Sequence, residues 1–342
     1  MGHASLRRIL VIQTAFLGDV ILATSVIEKL NQHYPESMID FLLRKGNEQV
    51  LANHPFLNEV LVFDKASGKY LNLLRLISKI RKKHYDLVIN LQRYVSTGLI
   101  TVLSGASITT GFNKNPLSRF FSIRVKHSFN GIHEVERNHE LIKWMTDPDY
   151  LKPRIFPGVR NYEKVEVLKN VPYLCLAPAS VWFTKQFPVE KWAQLADAIP
   201  GHLFVYLVGS PNDRDLGEKI RLSSRNDKIR NLSGELDVLD TAALMESAVL
   251  NIVNDSAPMH IASAMNAPVC AIYCSTIPGF GFGPLSDRSY IIEKEENLYC
   301  RPCGIHGRST CPESHFRCAM DIDVSKITAK VIDEIRFTGK MS

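Results

Sequence analysis

Apolar residues run along this chain in two alternating rhythms. Short unbroken runs, "RILVIQ", "MIDFLL", "EVLVF" and "DLVINLQ", read as strands buried on both faces, since a strand with one wet face would alternate apolar and polar positions. Between them, "DVILATSVIEKLNQHY" sets Val20, Ala23, Val26, Ile27 and Leu30 on one helical stripe. Residues 70–84 form a second helical stretch. Continuous strands alternating with helices predict a parallel sheet covered on both faces. The region from Gly111 to His133 is less regular, and a helix carrying Val135, Leu141, Ile142 and Met145 follows it.

A proline-punctuated stretch, "DPDYLKPRIFPG" at 147–158, reads as the approach to a linker. The rhythm then restarts. "VPYLCLAP", "LFVYLVG", "IRNLSG" and "AVLNIVN" are strands, with helices over 189–199, 213–223 and 239–247. The pattern predicts an α/β protein of two doubly wound units, residues 1–160 and 161–342. A last helix at about 324–337 could pack back on the first of them.

Composition changes this picture little. A length of 342 residues suits two domains at roughly 150 residues each. The 45% hydrophobic and 22% charged content is that of an ordinary globular protein. No apolar run approaches the roughly 20 residues that span a bilayer. The run Ile9 to Ile12 is too short for the core of a signal peptide, so a cytoplasmic location is expected.

Charge is more informative. The net +6 hides an asymmetry: residues 1–160 hold 22 Lys and Arg against 13 Asp and Glu, a balance of +9. The first domain is therefore expected to meet something anionic. Nucleic acid, an acidic membrane face and a phosphorylated acceptor all fit, beside an ordinary solvated surface. Four of the seven cysteines cluster as Cys300, Cys303, Cys311 and Cys318. C-x2-C-x7-C-x6-C contains one chelating pair, so a structural zinc site and a set of reduced thiols are both open, with reduced thiols favoured.

Three strand-to-helix corners hold the candidate chemistry. Ligands of open α/β sheets bind outside the carboxyl ends of the strands. Neither first corner carries G-x-G-x-x-G, which argues against a nicotinamide enzyme, and no P-loop occurs. In "QTAFLGD", Gly18 permits close backbone approach, and Asp19 is either a helix cap or a general base. In "APASVWFTKQFP" (177–188), Ser180 and Lys185 supply a hydroxyl and a point cation suited to a diphosphate. In "NDSAPMHIASAMNAPV" (254–269), Asp255, Ser256, Ala257 and His260 crowd a helix start. Such a start is explained equally by simple capping and by phosphate binding at free N–H groups.

Taken with "LGDVILATSVIEKL" (17–30), "NLSG" (231–234) and "FGP" (282–284), these motifs occur in the order found in the heptosyltransferases, glycosyltransferase family nine. The chain resembles that family over essentially its whole length. The resemblance implies the GT-B fold, two Rossmann-like domains facing a cleft. It implies inverting, metal-independent sugar transfer with no cofactor, from a nucleotide-diphosphate sugar (ADP-heptose in the usual case) to an anionic glycolipid of the lipopolysaccharide inner core. Nucleic acid then drops out as a partner, while peripheral contact with the inner membrane face stays open. By the same resemblance, Asp19 is the catalytic base. Ser180 and Lys185 hold the donor diphosphate, Asp255 contacts the donor sugar, Ser256 and Ala257 face the phosphates, and His260 sits one turn into the helix. Two glycines of the family pattern are replaced, by Ala179 and Ala257. The alternatives are a nucleotide-sugar epimerase of the same fold and a non-catalytic nucleotide-sugar-binding protein.

Overall fold

The computed structural model describes residues 6–65, 69–128 and 131–338. Residues 1–5, 66–68, 129–130 and 339–342, parts of the two expected domains, lie outside that description. The chain divides into two compact units at Phe156/Pro157, a few residues before the expected boundary.

The first unit contains six strands: β1 (Arg8–Ile12), β2 (Met38–Arg44), β3 (Leu57–Phe63), β4 (Leu87–Asn90), β5 (Ile108–Phe112) and β6 (Ile123–Val125). All pair in parallel in the order β3-β2-β1-β4-β5-β6. Helices α1 (Leu17–His33), α2 (Lys69–Arg81), α3 (Val95–Leu103) and α4 (Glu134–His139) accompany them. Ile9 to Ile12 are fully buried, as a central parallel strand requires.

Helix α1 departs from the expected one-sided stripe, because every residue from Val20 to Leu30 is buried. The stretch read as a linker approach explains this. Asp147 pairs with Lys29 at 2.5 Å, the Arg154 N–H donates to Thr24 Oγ1 at 2.9 Å, and Tyr34 donates to the Met145 carbonyl at 2.9 Å. These bonds wrap residues 145–154 along α1 and give the buried Lys29 and Thr24 side chains their partners. The helix expected to carry Val135 through Met145 stops at His139 and continues as turns.

The second unit repeats the plan with β7 (Tyr173–Ala177), β8 (Phe204–Leu207), β9 (Ile229–Asn231), β10 (Asn251–Asn254), β11 (Val269–Tyr273) and β12 (Ser289–Glu293). Their order is β12-β11-β10-β7-β8-β9, again all parallel. Its helices are α5 (Val159–Val165), α6 (Val189–Ala198), α7 (Arg214–Ser223), α8 (Val238–Glu246), α9 (Ala257–Ala264), α10 (Arg317–Met320) and α11 (Val324–Thr338).

The last helix, α11, inserts Ile327, Val331 and Ile335 among Trp192, Leu195, Ile272 and Ile292 of its own unit. Its apolar stripe closes a core that α6 and β12 would otherwise leave open. Among the described residues no helix is long and apolar enough to cross a membrane.

In both sheets the strand order reverses at the centre, between β1 and β4 in one and between β7 and β10 in the other. That topological switch leaves a crevice at the carboxyl ends of the central strands. The corner with Asp19 follows β1, and the two corners with Lys185 and Asp255 follow β7 and β10. Each candidate residue therefore sits at a switch point of its own unit.

Candidate active site

In the second unit the two candidate corners are one cluster. Lys185 Nζ lies 2.7 Å from Asp255 Oδ2, with both side chains largely buried. Thr276, just past β11, donates its hydroxyl to the same oxygen at 2.6 Å. Asn254, the last residue of β10, stitches the corners together. Its Oδ1 accepts from the Phe187 N–H at 3.1 Å, and its Nδ2 donates to the Pro178 carbonyl at 2.6 Å. Ser180 stands on the same loop, half-buried, its carbonyl accepting from Gln186 Nε2 at 2.6 Å.

Replacing Asn254 by Ala strands a buried N–H and a buried C=O. The expected cost is about 2 kcal/mol of stability, read as a lower denaturation midpoint at unchanged m-value. An unchanged midpoint would show that the loop is held by other contacts.

The start of α9 does not follow the capping explanation. Ser256 occupies the N-cap with extended backbone, yet its side chain caps nothing; its hydroxyl points back to the Asn254 carbonyl at 3.4 Å. Asp255 is engaged by Lys185 and Thr276 rather than by the helix. The backbone donors at Ser256 and Ala257 thus open the helix without side-chain acceptors, the condition under which a helix start receives an anion. His260 is buried in the body of α9.

A segment that the sequence marked only by its cysteines completes this cluster. Thr184 and Arg308 exchange bonds: the Arg308 N–H donates to Thr184 Oγ1 at 2.8 Å, and the Thr184 N–H donates to the Arg308 carbonyl at 3.1 Å. Ser275 donates to Thr184 Oγ1 at 2.9 Å. Gly307 lies here with φ +77°, and a side chain on it would meet Lys185 Cγ and Thr184 Oγ1 at 3.0 Å. The cysteine-rich loop is therefore folded against the Lys185 corner. Its thiols at 300, 303, 311 and 318 are free, with Cys300 Sγ 3.9 Å from His315 Nε2. Only the long separation of residues 184 and 308 hid this contact from sequence reading.

In the first unit, Asp19 Oδ2 accepts from the Phe16 N–H at 3.1 Å, so Asp19 does cap α1. It is more than a cap. Burial raises its pKa above the usual 3.8, against the pull of that backbone bond and of the Arg44 and Arg93 charges. Glu134, at the start of α4, is likewise raised by burial and, beyond the opposing Arg137, by the charge of Asp19. Arg137 Nη2 holds Glu134 at 2.6 Å. His127 stacks edge-on against Phe112 at 4.8 Å and is driven down to about 4 by burial and by Arg93, Arg137 and Lys114. The basic excess of the N-terminal half is thus partly gathered around the carboxyl edge of its sheet. Arg93, Glu134 and Arg137 were not singled out from sequence: Arg93 follows β4, and Glu134 and Arg137 lie on the helix after the irregular stretch, where periodicity marks the apolar positions and not the charged ones.

A family model described as Glycosyltransferase family 9 (heptosyltransferase) matches residues 73–311. The chain belongs to this family. It is a glycosyltransferase, and the matched span contains Lys185 and Asp255 while beginning after Asp19. Among its relatives are lipopolysaccharide heptosyltransferase 3 of Escherichia coli K12, 28% identical over 76% of this chain and 80% of that one, and lipooligosaccharide heptosyltransferase 2 of Haemophilus ducreyi, 26% identical over 83% and 88%. The solved structure of E. coli ADP-heptose lps heptosyltransferase II superimposes with a TM-score of 0.82 over 97% of this chain and 99% of that one, at 22% identity. E. coli heptosyltransferase WaaC, solved with ADP, gives 0.71 over 96% and 99% at 18% identity. The fold of this family-9 enzyme is GT-B, built from two Rossmann-like domains. Membership in a transferase family replaces the epimerase and binding-protein alternatives.

Proposed function

We propose that this protein is an inverting, metal-independent heptosyltransferase, moving heptose from ADP-heptose to an anionic glycolipid of the lipopolysaccharide inner core at the cytoplasmic membrane face. The observation that carries the donor half is the Lys185–Asp255–Thr276 cluster beside the uncapped start of α9. Lys185, Ser180 and the N–H groups at Ser256 and Ala257 receive the diphosphate, and the helix dipole favours its charge. The same groups stabilise the diphosphate as it leaves, which is where negative charge develops. Asp255 contacts the sugar, and His260, one turn into the helix, belongs to the same nucleotide-sugar site. The names of the E. coli and H. ducreyi relatives support the heptose reading, and the ADP in the WaaC structure supports the nucleotide.

On the first unit, Asp19 takes the proton from the acceptor hydroxyl. Arg93, Lys114 and Arg137 make the surrounding edge receptive to acceptor phosphate. The test is turnover of ADP-heptose with a deacylated inner-core acceptor in chelator, alongside a thermal-shift comparison of ADP-, UDP-, GDP- and CMP-linked sugars. ADP-linked sugar should shift the melting temperature most, and product should form with inverted configuration. Donor consumption without acceptor, or a larger shift with another nucleotide, overturns the reading.

The base must be ionised to act, so activity rises with pH through the folded pKa of Asp19. Because burial raises that pKa, the acid limb of kcat/KM should lie above the 3.8 of an ordinary aspartate. A limb at or below the ordinary value would assign it to another group.

A further inference from the structure

Helix α2 presents two faces of opposite kind. Leu73, Leu76, Ile77 and Ile80 are buried in the first unit's core. On the outside, Tyr70, Leu71 and Leu74 are 79%, 62% and 62% exposed. At 3.6 residues per turn these three fall within a sector of roughly 100° on the helix. Arg81 falls in the same sector, and Arg75 and Lys82 border it; all three are exposed. Residues 65–85 contain seven Lys and Arg and no Asp or Glu. Of these, Lys79 and Lys83 are engaged by Glu59 and Asp40 of the sheet and Lys65 by Thr14, while Arg75, Arg81 and Lys82 are exposed to solvent.

An apolar triad fringed by uncompensated cations is the pattern of a helix that lies in a membrane interface. A polyanion such as nucleic acid would use the cations but gains nothing from the triad.

The position of the helix adds to this. Asn72 Nδ2 donates to the Asp64 carbonyl at 3.4 Å, and Lys65 Nζ donates to Thr14 Oγ1 at 3.1 Å. The N-terminal end of α2, with its apolar triad, therefore stands at the carboxyl edge of the sheet, the edge that carries Asp19. Phe16, Tyr94 and Val95, each more than half exposed, extend apolar surface along that edge.

We propose that the outer face of α2 docks this enzyme on an anionic bilayer, with Tyr70, Leu71 and Leu74 entering the interface and Arg75, Arg81 and Lys82 over the headgroups. Docking there sets the acceptor edge of the first unit against the surface in which a lipid-anchored acceptor resides. The purpose of the surface rests on the glycolipid reading above, whereas its affinity for anionic lipid does not.

The experiment is co-sedimentation of the full chain with vesicles of phosphatidylcholine alone or with about 30 mol % phosphatidylglycerol, near 0.1 M salt. The wild-type protein should bind the anionic vesicles at least about tenfold more tightly. The double variant Leu71→Ser/Leu74→Ser should lose about tenfold or more of that binding. The triple variant Arg75→Gln/Arg81→Gln/Lys82→Gln should lose about 100-fold, at roughly fivefold per cation. Both variants should keep wild-type melting temperature and wild-type turnover of a deacylated, soluble acceptor, since the altered side chains are exposed and outside the active site. Equal binding to both vesicle types, no binding to either, or variants that bind like wild type would overturn the proposal. So would a wild-type dimer split by the leucine substitutions, because the face would then belong to a second copy. Failure on the soluble acceptor with intact vesicle binding would instead count against the proposed donor and acceptor alone.

Discussion

Replacing Asp19 by Asn should lower turnover by about 10²–10⁴-fold, the usual worth of a positioned general base. Asn preserves the size of the side chain and an oxygen able to accept from the Phe16 N–H, so the cap on α1 survives. Fold stability should hold or improve slightly, because a half-buried charge whose ionised form burial disfavours has been removed. Donor affinity should stay near wild type, since the donor-binding residues belong to the second unit. Turnover and donor affinity separate the two explanations of Asp19. Retention of more than about a third of wild-type turnover at saturating acceptor would leave Asp19 a cap and place the base elsewhere.

Replacing Lys185 by Ala should weaken binding of ADP-heptose by about 10- to 150-fold, the equivalent of about 1.5–3 kcal/mol for a charge-assisted contact. The structure adds a second effect that the motif alone did not imply. Lys185 is the cation against which Asp255 is held at 2.7 Å, so its loss leaves a largely buried carboxylate with Thr276 as its remaining named partner. Breaking such a pair destabilises the fold, here by about 1–3 kcal/mol given that the pair is not wholly buried. Titration calorimetry well below the melting transition isolates the binding effect from the folding effect. Lys185→Arg, which keeps the charge, should recover the stability more fully than the affinity, since a planar fork does not replace a compact ammonium. Unchanged donor affinity in the folded Lys185→Ala variant would remove Lys185 from the phosphate site.

The two-unit α/β architecture was legible because parallel strands buried on both faces demand unbroken apolar runs. "RILVIQ" and "AVLNIVN" cannot satisfy that demand in any other common arrangement. Corner residues were legible for a related reason: a ligand at the carboxyl ends of strands is met by whatever the chain places just after them, so Asp19, Lys185 and Asp255 stand beside readable strand endings. Polar and strained positions outside the periodic elements were less so. Arg137 and Glu134 follow an irregular stretch, and their bearing on Asp19 depends on how α4 folds back along α1.

By itself, then, the sequence determined the alternation of strands and helices, the restart after residue 158 and the identity of the candidate base and phosphate ligands. The alternation and the restart follow from the period of burial in local windows, and the candidate residues from the motif order the chain shares with its family. Only the tertiary structure decided that Lys185 and Asp255 are partners, that Asn254 and Thr276 hold them, and that Gly307 admits the cysteine-rich loop against them. It also decided that α11 completes the second core. Those contacts join residues far apart in the chain, and such pairings are chosen by the packing of whole sheets and helices, which no local window of residues encodes.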